Sequence, residues 1–212
     1  MTDVINEFKK TRIIPVIKIE ESQETYSIIG AIRAGGIMNA EITLRTPAAV
    51  EAIRIAARNF SDMAIGAGTV LNLQQAKDAI EAGADFIVMP GYNEEIVDYC
   101  QRKKITVIPG VATPTEIMTA YNKGCKILKL FPASNLGGAA YLDAMKGPFS
   151  DVQFIPTGGI SFGNAREYLS KENVLAVGAS CIVTGKDISQ KNWPAITENC
   201  RQAVSLFSAV IN

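Results

Sequence analysis

The sequence contains no histidine, and this absence narrows the chemistry that it can perform. Histidine is the side chain that most often transfers protons near neutral pH, and it is the commonest protein ligand of zinc and iron. Without it, proton transfer must depend on Glu, Asp, Lys, Tyr, Cys or water. We therefore expect a site without a metal ion or a cofactor.

Cysteine is scarce and widely spaced. None of the four cysteines forms a C-x-x-C pair, so the sequence indicates neither a zinc ribbon nor a redox pair. Free cysteine is usually buried and behaves as a small apolar side chain. We expect buried or half-buried thiols at Cys100, Cys125, Cys181 and Cys200.

An excess of charge of either sign is also lacking. The 21 basic residues balance 21 acidic ones, and no polybasic block is present. This balance gives no electrostatic reason to expect nucleic acid or an anionic membrane as a partner, and it favours a small-molecule substrate. No segment approaches the roughly 18 apolar residues of a membrane span. Residues Met1 to Thr11 lack the apolar core of a signal peptide, so we expect a cytoplasmic protein.

Short runs rich in Ile and Val alternate with amphipathic segments along the 212 residues, and no linker-like stretch divides them. This pattern predicts one domain over residues 1–212, an α/β fold in which eight β-then-α units close a single (β/α)8 TIM barrel with an N-terminal extra helix. An open doubly wound sheet is the alternative, and even spacing of the units favours closure. The predicted strands are Ile13–Ile19, Ile37–Leu44, Met63–Val70, Phe86–Pro90, Ile105–Val111, Ile127–Phe131, Val152–Pro156 and Val174–Ala179.

Boundary signals accompany the predicted helices, which include Thr46–Phe60 and Leu73–Ala82. Several helix-like segments end at glycine one or two residues before the next strand. Capping residues or first-turn prolines mark their starts, at Thr46-Pro47, Asn72, Asn93, Thr113-Pro114 and the stretch from Ser161 to Asn164.

Lys129 lies within a strand-like apolar run, Lys126-Ile-Leu-Lys-Leu-Phe-Pro-Ala133. Burying an ammonium group without a partner is expensive, and it favours the neutral amine. A desolvated neutral lysine is a nucleophile for carbonyl carbons. Lys126, at the start of the run, is expected to reach solvent instead.

A second strand-like run, Glu41-Ile-Thr-Leu-Arg45, contains an acid and a guanidinium group. Side chains alternate along a strand, so Glu41, Thr43 and Arg45 share one face, as do Ile127, Lys129 and Phe131. If both faces point into a barrel, the charges meet there. Together they suggest Schiff-base chemistry on a keto acid; the alternative is a salt bridge that only fills the barrel mouth.

Small residues mark the ends of the last two predicted strands, since the seventh finishes in Pro156-Thr-Gly-Gly-Ile-Ser161 and the eighth passes through Val177-Gly-Ala-Ser180. In barrels of this type a phosphate group commonly binds between the loops after strands seven and eight. The candidates for this anion site are Thr157, Gly158, Gly159 and Ser180. Tight turns without a ligand are the alternative interpretation.

Two segments, Gly36-Ile-Met-Asn-Ala-Glu41-Ile-Thr-Leu-Arg45 and Gly124-Cys-Lys-Ile-Leu-Lys129-Leu-Phe-Pro-Ala133, resemble the signature segments of the class I pyruvate aldolases that act on 2-keto-3-deoxy-6-phosphogluconate and 4-hydroxy-2-oxoglutarate. Shorter matches occur in the family's order over nearly the whole chain: Gly66-Ala-Gly-Thr-Val70, Pro90-Gly91, Ile108-Pro-Gly-Val-Ala-Thr-Pro-Thr-Glu116, Gly147-Pro-Phe149 and Pro156-Thr-Gly-Gly-Ile160.

The resemblance implies a reaction and a role for each candidate residue. Lys129 would form the Schiff base with C2 of the keto acid, and Glu41 would transfer protons. The products would be pyruvate and either glyceraldehyde 3-phosphate or glyoxylate, and the assembly a homotrimer. The implied substrate contacts are Arg45 and Thr69 to the carboxylate, Pro90 and Phe131 as walls, and Gly158, Gly159 and Ser180 to the phosphate.

Two departures from the family pattern bear on substrate preference, Met89 before Pro90 and Lys18 at the end of the first strand. An aldolase for the galactonate epimer therefore stays open as an alternative. Two further hypotheses are a different phosphate-binding barrel enzyme, such as an epimerase or isomerase, and a non-catalytic sensor of sugar phosphates. Metal-dependent epimerases would need ligands that a chain without histidine hardly supplies.

Overall fold

A computed structural model describes residues 3–208, and side chains as far as residue 206. It has an α/β fold with parallel strands, as the alternating pattern predicts. The strands are β1 Ile13–Ile17, β2 Asn39–Thr43, β3 Ala64–Gly68, β4 Phe86–Val88, β5 Thr106–Ile108, β6 Gly110–Val111, β7 Ile127–Leu130, β8 Gln153–Pro156 and β9 Val177–Ala179.

Helices precede, separate and follow these strands. They are α1 Val4–Thr11, α2 Thr25–Ala34, α3 Ala49–Asn59, α4 Leu73–Glu81, α5 Glu94–Lys103, α6 Pro114–Asn122, α7 Gly138–Lys146, α8 Ala165–Leu169, α9 Gly185–Ser189 and α10 Trp193–Ser208, with short 3-10 helices at Ser22–Glu24 and Ala133–Leu136.

The strands pair in chain order. Six form one parallel sheet in the order β5-β4-β3-β2-β1-β9, and three form another in the order β6-β7-β8. The first strand pairs with the last, Ile14 lying opposite Gly178. Pairing of the first strand with the last is what closure of a barrel requires.

The fifth predicted strand is wrong in one respect. Ile105–Val111 is not continuous, because Pro109 separates β5 from β6 and the two pieces pair in different sheets. Proline lacks an N–H group and cannot donate to a strand ladder, which explains the break. At the other junction, isolated parallel bridges join Phe154 to Val174 and Thr157 to Gly178, so that β8 lies beside β9.

Most predicted boundaries are confirmed. The side chains of Asn72, Asn93 and Thr113 each accept a hydrogen bond from the first turn of the helix that follows. Thr46 is an exception, because α3 begins at Ala49 without a side-chain cap and the Thr46 hydroxyl donates to the carbonyl of Ile19. The glycines expected at helix ends adopt positive φ, at Gly36, Gly83 and Gly124.

The buried apolar residues form two clusters. The larger lies between the helices and the outer faces of the strands. The smaller contains Phe8 of α1, packed edge-on against Phe86 of β4 at 5.1 Å between ring centroids, together with Ile14, Ile108 and Ile155. Its members come from strands of both sheets, so both sheets and α1 share this cluster.

Two further expectations concern thiols and membranes. Cys100, Cys125 and Cys200 are buried and Cys181 is half-buried, all four as free thiols, which confirms the prediction. None of the helices described between residues 3 and 208 is long and apolar enough to cross a membrane.

Candidate active site

Lys129 and Glu41 meet in the interior. They lie on β7 and β2, 88 residues apart in sequence, and Lys129 Nζ donates a hydrogen bond to Glu41 Oε1 at 3.3 Å. Lys129 is 5% exposed and Glu41 2%. The predicted meeting of the two strand faces is thus confirmed. The lysine is buried with a charged partner, which keeps both groups from being isolated in a medium of low polarity.

Lys126 provides the contrast expected from the sequence. It lies just before β7, its side chain is 59% exposed, and it pairs with Asp151 at 2.6 Å. The hydrogen bond between the two side chains raises the pKa of Lys126 and lowers the pKa of Asp151. An exposed pair of this kind contributes little to stability, because solvent screens the attraction between the two charges.

Arg45 reaches the same region from the loop after β2. Its Nε donates to the Thr43 hydroxyl at 3.1 Å, and that hydroxyl donates to the carbonyl of Ile17 at 2.8 Å. The buried Thr43 thus orients a guanidinium group that remains exposed. A guanidinium group held in this way can present a planar pair of donors to a carboxylate.

One cavity of about 240 Å³ contains all of the residues that the sequence predicts for the site. They are Glu41, Arg45, Thr69, Pro90, Lys129, Phe131, Thr157, Gly158, Gly159 and Ser180. Because these residues come from the ends of many strands and the loops after them, only the tertiary fold brings them together.

Sequence reasoning missed four further residues that line this cavity: Val16, Thr43, Ile160 and Gly178. Thr43 could have been found, since it shares a strand face with Glu41 and Arg45. The sequence gives no signal that Gly178 lies against Thr157. A Cβ atom at Gly178 would lie 3.1 to 3.2 Å from side-chain carbons of Thr157, so this glycine makes room for the threonine.

The loops around the cavity contain unusual backbone geometry. Thr69, directly after β3, has a φ of 57°, which non-glycine residues adopt infrequently. Gly158 and Gly159, after β8, have φ values of 94° and 77°. The backbone N–H of Ser134 donates to the carbonyl of Gly158 at 3.1 Å, which ties the loop after β7 to the loop after β8.

An aromatic ring borders the reactive amine. Lys129 Nζ lies 5.4 Å from the centroid of the Phe131 ring, within the range of a cation–π interaction. Phe131 is still 37% exposed, so one part of its ring faces the opening of the cavity. The ring can therefore contact both the amine and a bound molecule.

A second cavity, of about 600 Å³, adjoins the first and shares Val16, Arg45 and Ser180 with it. Lys18 lines this larger space and forms an ion pair with Glu20. Within residues 3–208, no three His, Cys, Asp or Glu side chains are grouped so that they could hold a metal ion.

An amine and a carboxylate in contact, beside a guanidinium group, can together bind a keto acid, attack its carbonyl and transfer protons. Known proteins with related sequences and folds are named as aldolases, which act on such substrates. The family model described as KDPG and KHG aldolase, where KDPG is 2-keto-3-deoxy-6-phosphogluconate and KHG is 4-hydroxy-2-oxoglutarate, matches residues 4–199. The KHG/KDPG aldolase of Escherichia coli is 41% identical over 91% of this chain and 90% of its own.

Solved structures agree with this match. A KDPG aldolase from Legionella pneumophila, with pyruvate captured as a covalent carbinolamine intermediate, has a TM-score of 0.91 and 42% identity over 94% of this chain and 97% of its own. The aldolase of Zymomonas mobilis with 3-phosphoglycerate has a TM-score of 0.88 and 35% identity, covering 96% of each chain. This chain belongs to the KDPG and KHG aldolase family.

Proposed function

We propose that this chain is a class I aldolase that reversibly cleaves 2-keto-3-deoxy-6-phosphogluconate to pyruvate and glyceraldehyde 3-phosphate, and 4-hydroxy-2-oxoglutarate to pyruvate and glyoxylate. The observation that carries the proposal is the buried contact between Lys129 Nζ and Glu41 Oε1 at 3.3 Å inside the cavity. The family and the names of its relatives support the same reaction.

Covalent binding begins at Lys129. Its amine attacks C2 of the keto acid, the carbonyl electron pair moves to oxygen, and a carbinolamine results. Loss of that oxygen as water leaves a C2=N iminium. Glu41 is placed to accept the proton that the lysine must release and to deliver one to the departing oxygen. The carbinolamine in the Legionella relative is the species that precedes an iminium.

Cleavage uses the iminium as an electron sink. Glu41, directly or through water, removes the proton of the C4 hydroxyl group, and the C3–C4 electron pair moves into a C2=C3 double bond as the aldehyde leaves. The enamine then takes a proton at C3 from Glu41, and water hydrolyses the iminium to release pyruvate. No step in this sequence needs a metal ion or an organic cofactor.

The family resemblance assigns the substrate contacts, and the lining of the cavity supports them. Arg45, oriented by Thr43, and Thr69 hold the pyruvate carboxylate, while Pro90 and Phe131 form the walls. The phosphate group binds in the loops after the last two strands, and 3-phosphoglycerate in the Zymomonas relative supports a phosphorylated ligand. The residues assigned to this phosphate are Thr157, Gly158, Gly159 and Ser180.

The experiment that tests this function traps the iminium. The purified protein is incubated with pyruvate and borohydride, which reduces an iminium to a stable amine, and the adduct is located by peptide mass spectrometry. We expect the adduct at Lys129 and none at the exposed Lys126, which serves as an internal control. Absence of an adduct in folded protein would contradict the proposal and favour an epimerase, an isomerase or a sugar-phosphate sensor.

A second assay identifies the substrate. Pyruvate release is compared for the gluconate-derived phosphate, its galactonate-derived C4 epimer and 4-hydroxy-2-oxoglutarate. We expect the first to be cleaved with a higher kcat/KM than 4-hydroxy-2-oxoglutarate, which has no phosphate group for the proposed anion site in the loops after β8 and β9. The names of the relatives favour it over its C4 epimer. Preference for the galactonate epimer would instead point to Met89 and Lys18 as residues that alter specificity.

The two sheets are proposed to form one closed (β/α)8 barrel within a single domain of residues 1–212, with α1 as the extra N-terminal helix. The bridges between β8 and β9, the shared interior cluster and the direct succession of β5 and β6 support closure. Val4 and Phe8 of α1 pack into that cluster, which supports α1 as the cover of one barrel end.

A homotrimer is proposed from the family resemblance, and exposed apolar side chains such as Tyr26, Leu71 and Met118 are consistent with subunit contacts. Sedimentation equilibrium should then give three times the chain mass of 22.8 kDa. A monomer or dimer would contradict this. The cytoplasm is the proposed location, and the four free thiols are consistent with a reducing compartment.

A further inference from the structure

Gly68, the last residue of β3, lies beside the carboxylate of Glu41. The neighbouring strand β2 pairs with β3 so that Thr43 is opposite Gly68 and Glu41 opposite Gly66. A Cβ atom built on Gly68 would stand 2.6 Å from both Cγ and Cδ of Glu41, and closer still to Oε1. That oxygen is the one that accepts the hydrogen bond from Lys129.

The backbone does not require glycine at this position. Gly68 is not among the glycines with positive φ, so alanine could adopt the same backbone conformation. The three heavy atoms nearest to the added Cβ all belong to Glu41. Glycine is therefore needed here because the place of a Cβ atom is occupied by the side chain of Glu41.

Glu41 has little alternative space on the side of the strands, and its open side is the cavity that it lines. A Cβ atom at Gly66, two residues earlier on the same face of β3, would meet the ring of Phe86, so the room left by that glycine is already filled. Thr43, above Glu41 on its own strand, is buried and hydrogen-bonded. A displaced Glu41 side chain would therefore move into the cavity, and its carboxylate would leave its present position against Lys129.

We propose that Gly68 is a positioning residue for proton transfer. Because it has no side chain, the Glu41 carboxylate can occupy the space beside it and remain against the Lys129 amine. The inference rests on the proposed aldolase function, in which Glu41 transfers protons. An added methyl group at Gly68 displaces Oε1 while leaving the lysine nucleophile unchanged. Proton transfer then slows more than formation of the covalent adduct.

Exchange of the pyruvate methyl protons isolates this step. On the iminium, Glu41 takes a proton from C3, the C–H electron pair forms C2=C3, and the C=N pair moves to nitrogen; the reverse step delivers a deuteron from D₂O. Misplacement of a catalytic group by about 1 Å can slow a reaction about 100-fold. NMR should thus show exchange in Gly68→Ala slowed about 100-fold, with borohydride trapping at Lys129 still reaching completion.

Gly147→Ala is the matched control. Gly147 follows α7, has a φ of −61°, and a Cβ atom there would meet nothing within 4 Å. We expect its exchange rate to equal that of the unaltered protein. If the unaltered protein exchanges the pyruvate protons and the two variants Gly68→Ala and Gly147→Ala exchange them at equal rates, the inference is overturned. The aldolase function then stays intact. No exchange in the unaltered protein would instead contradict the aldolase function itself.

A stability measurement keeps the inference testable even if Gly68→Ala folds poorly. The thermal midpoint is compared for four proteins: the unaltered chain, Gly68→Ala, Glu41→Ala and the double variant. Removal of Glu41 beyond Cβ removes the three atoms that would lie nearest to the new methyl group. We expect Gly68→Ala to lower the midpoint in the unaltered chain but not in Glu41→Ala, and an equal drop in both backgrounds would show that Gly68 acts elsewhere.

Discussion

At the residue scale, the buried pair of Lys129 and Glu41 is better explained by chemistry than by stability. Taking two charges out of water costs several kcal/mol each, and their attraction often does no more than offset that cost. An apolar pair of similar volume would fill the space equally well. The pair instead places an amine and a proton acceptor 3.3 Å apart beside an open cavity.

Lys129→Ala should abolish turnover while the fold is retained. The Schiff base cannot form without the amine, and Glu41 is left as a buried charge without its partner, which lowers the free energy of unfolding by about 3 kcal/mol. Pyruvate release and circular dichroism measure the two effects. Lys126→Ala is the control, expected to retain full activity; normal turnover in Lys129→Ala would contradict the assignment.

Glu41→Gln should separate adduct formation from proton transfer. The amide keeps the size of the side chain but cannot accept and return a proton, so kcat is expected to fall by about 10² to 10⁴-fold. Borohydride trapping should still detect the adduct at Lys129 after long incubation. An unchanged kcat would remove Glu41 from the proton-transfer role.

At the element scale, the connections after the strands position the site, and α6 illustrates how one is fixed. Thr113 and Glu116 form a capping box: the Thr113 hydroxyl accepts from the backbone N–H of Glu116, and the Glu116 carboxylate accepts from that of Thr113. The same carboxylate accepts from the backbone N–H of Ala112. This holds the turn that follows β6, next to β7 and Lys129.

Thr113→Ala should lower the free energy of unfolding by about 1 kcal/mol, because the backbone N–H of Glu116 in the first turn of α6 loses its acceptor. Urea denaturation measures the change. Thr119→Ala, within the same helix and exposed, is the control, with an expected effect of about 0.5 kcal/mol or less. Equal losses in both variants would show that the capping box contributes nothing specific.

At the scale of the whole molecule, burial of thiols makes the free energy of unfolding depend on pH in the alkaline range. Burial raises the pKa of Cys200 to about 12, and burial with the nearby Cys125 raises the pKa of Cys100 to about 11, both from 9.0. The folded state therefore keeps protons that the unfolded state loses above pH 9. The stabilisation is complete below that pH and is lost as pH rises.

Urea unfolding should accordingly give a free energy of unfolding that falls between about pH 9 and 11, the interval between the unfolded and folded pKa of Cys100. Cys100→Ala should start from a lower stability, since a buried side chain is truncated, and should show a shallower decline over this interval. The same slope in both proteins would contradict a contribution from Cys100.

Much of this protein could be predicted from local sequence. Alternating apolar runs predicted the strands, capping residues predicted the starts of α4, α5 and α6, and a lysine within an apolar run identified Lys129. Each of these signals depends on residue type and spacing over a few positions, because hydrophobic periodicity and capping are local effects.

Tertiary structure alone decided how these parts combine. It placed Lys129 against Glu41 across 88 residues, divided the fifth strand between two sheets at Pro109, and set Thr43 under Arg45. It also placed the Glu41 carboxylate in the space beside Gly68. The physical reason is that register between strands and packing between side chains depend on partners far apart in sequence, which no local pattern encodes.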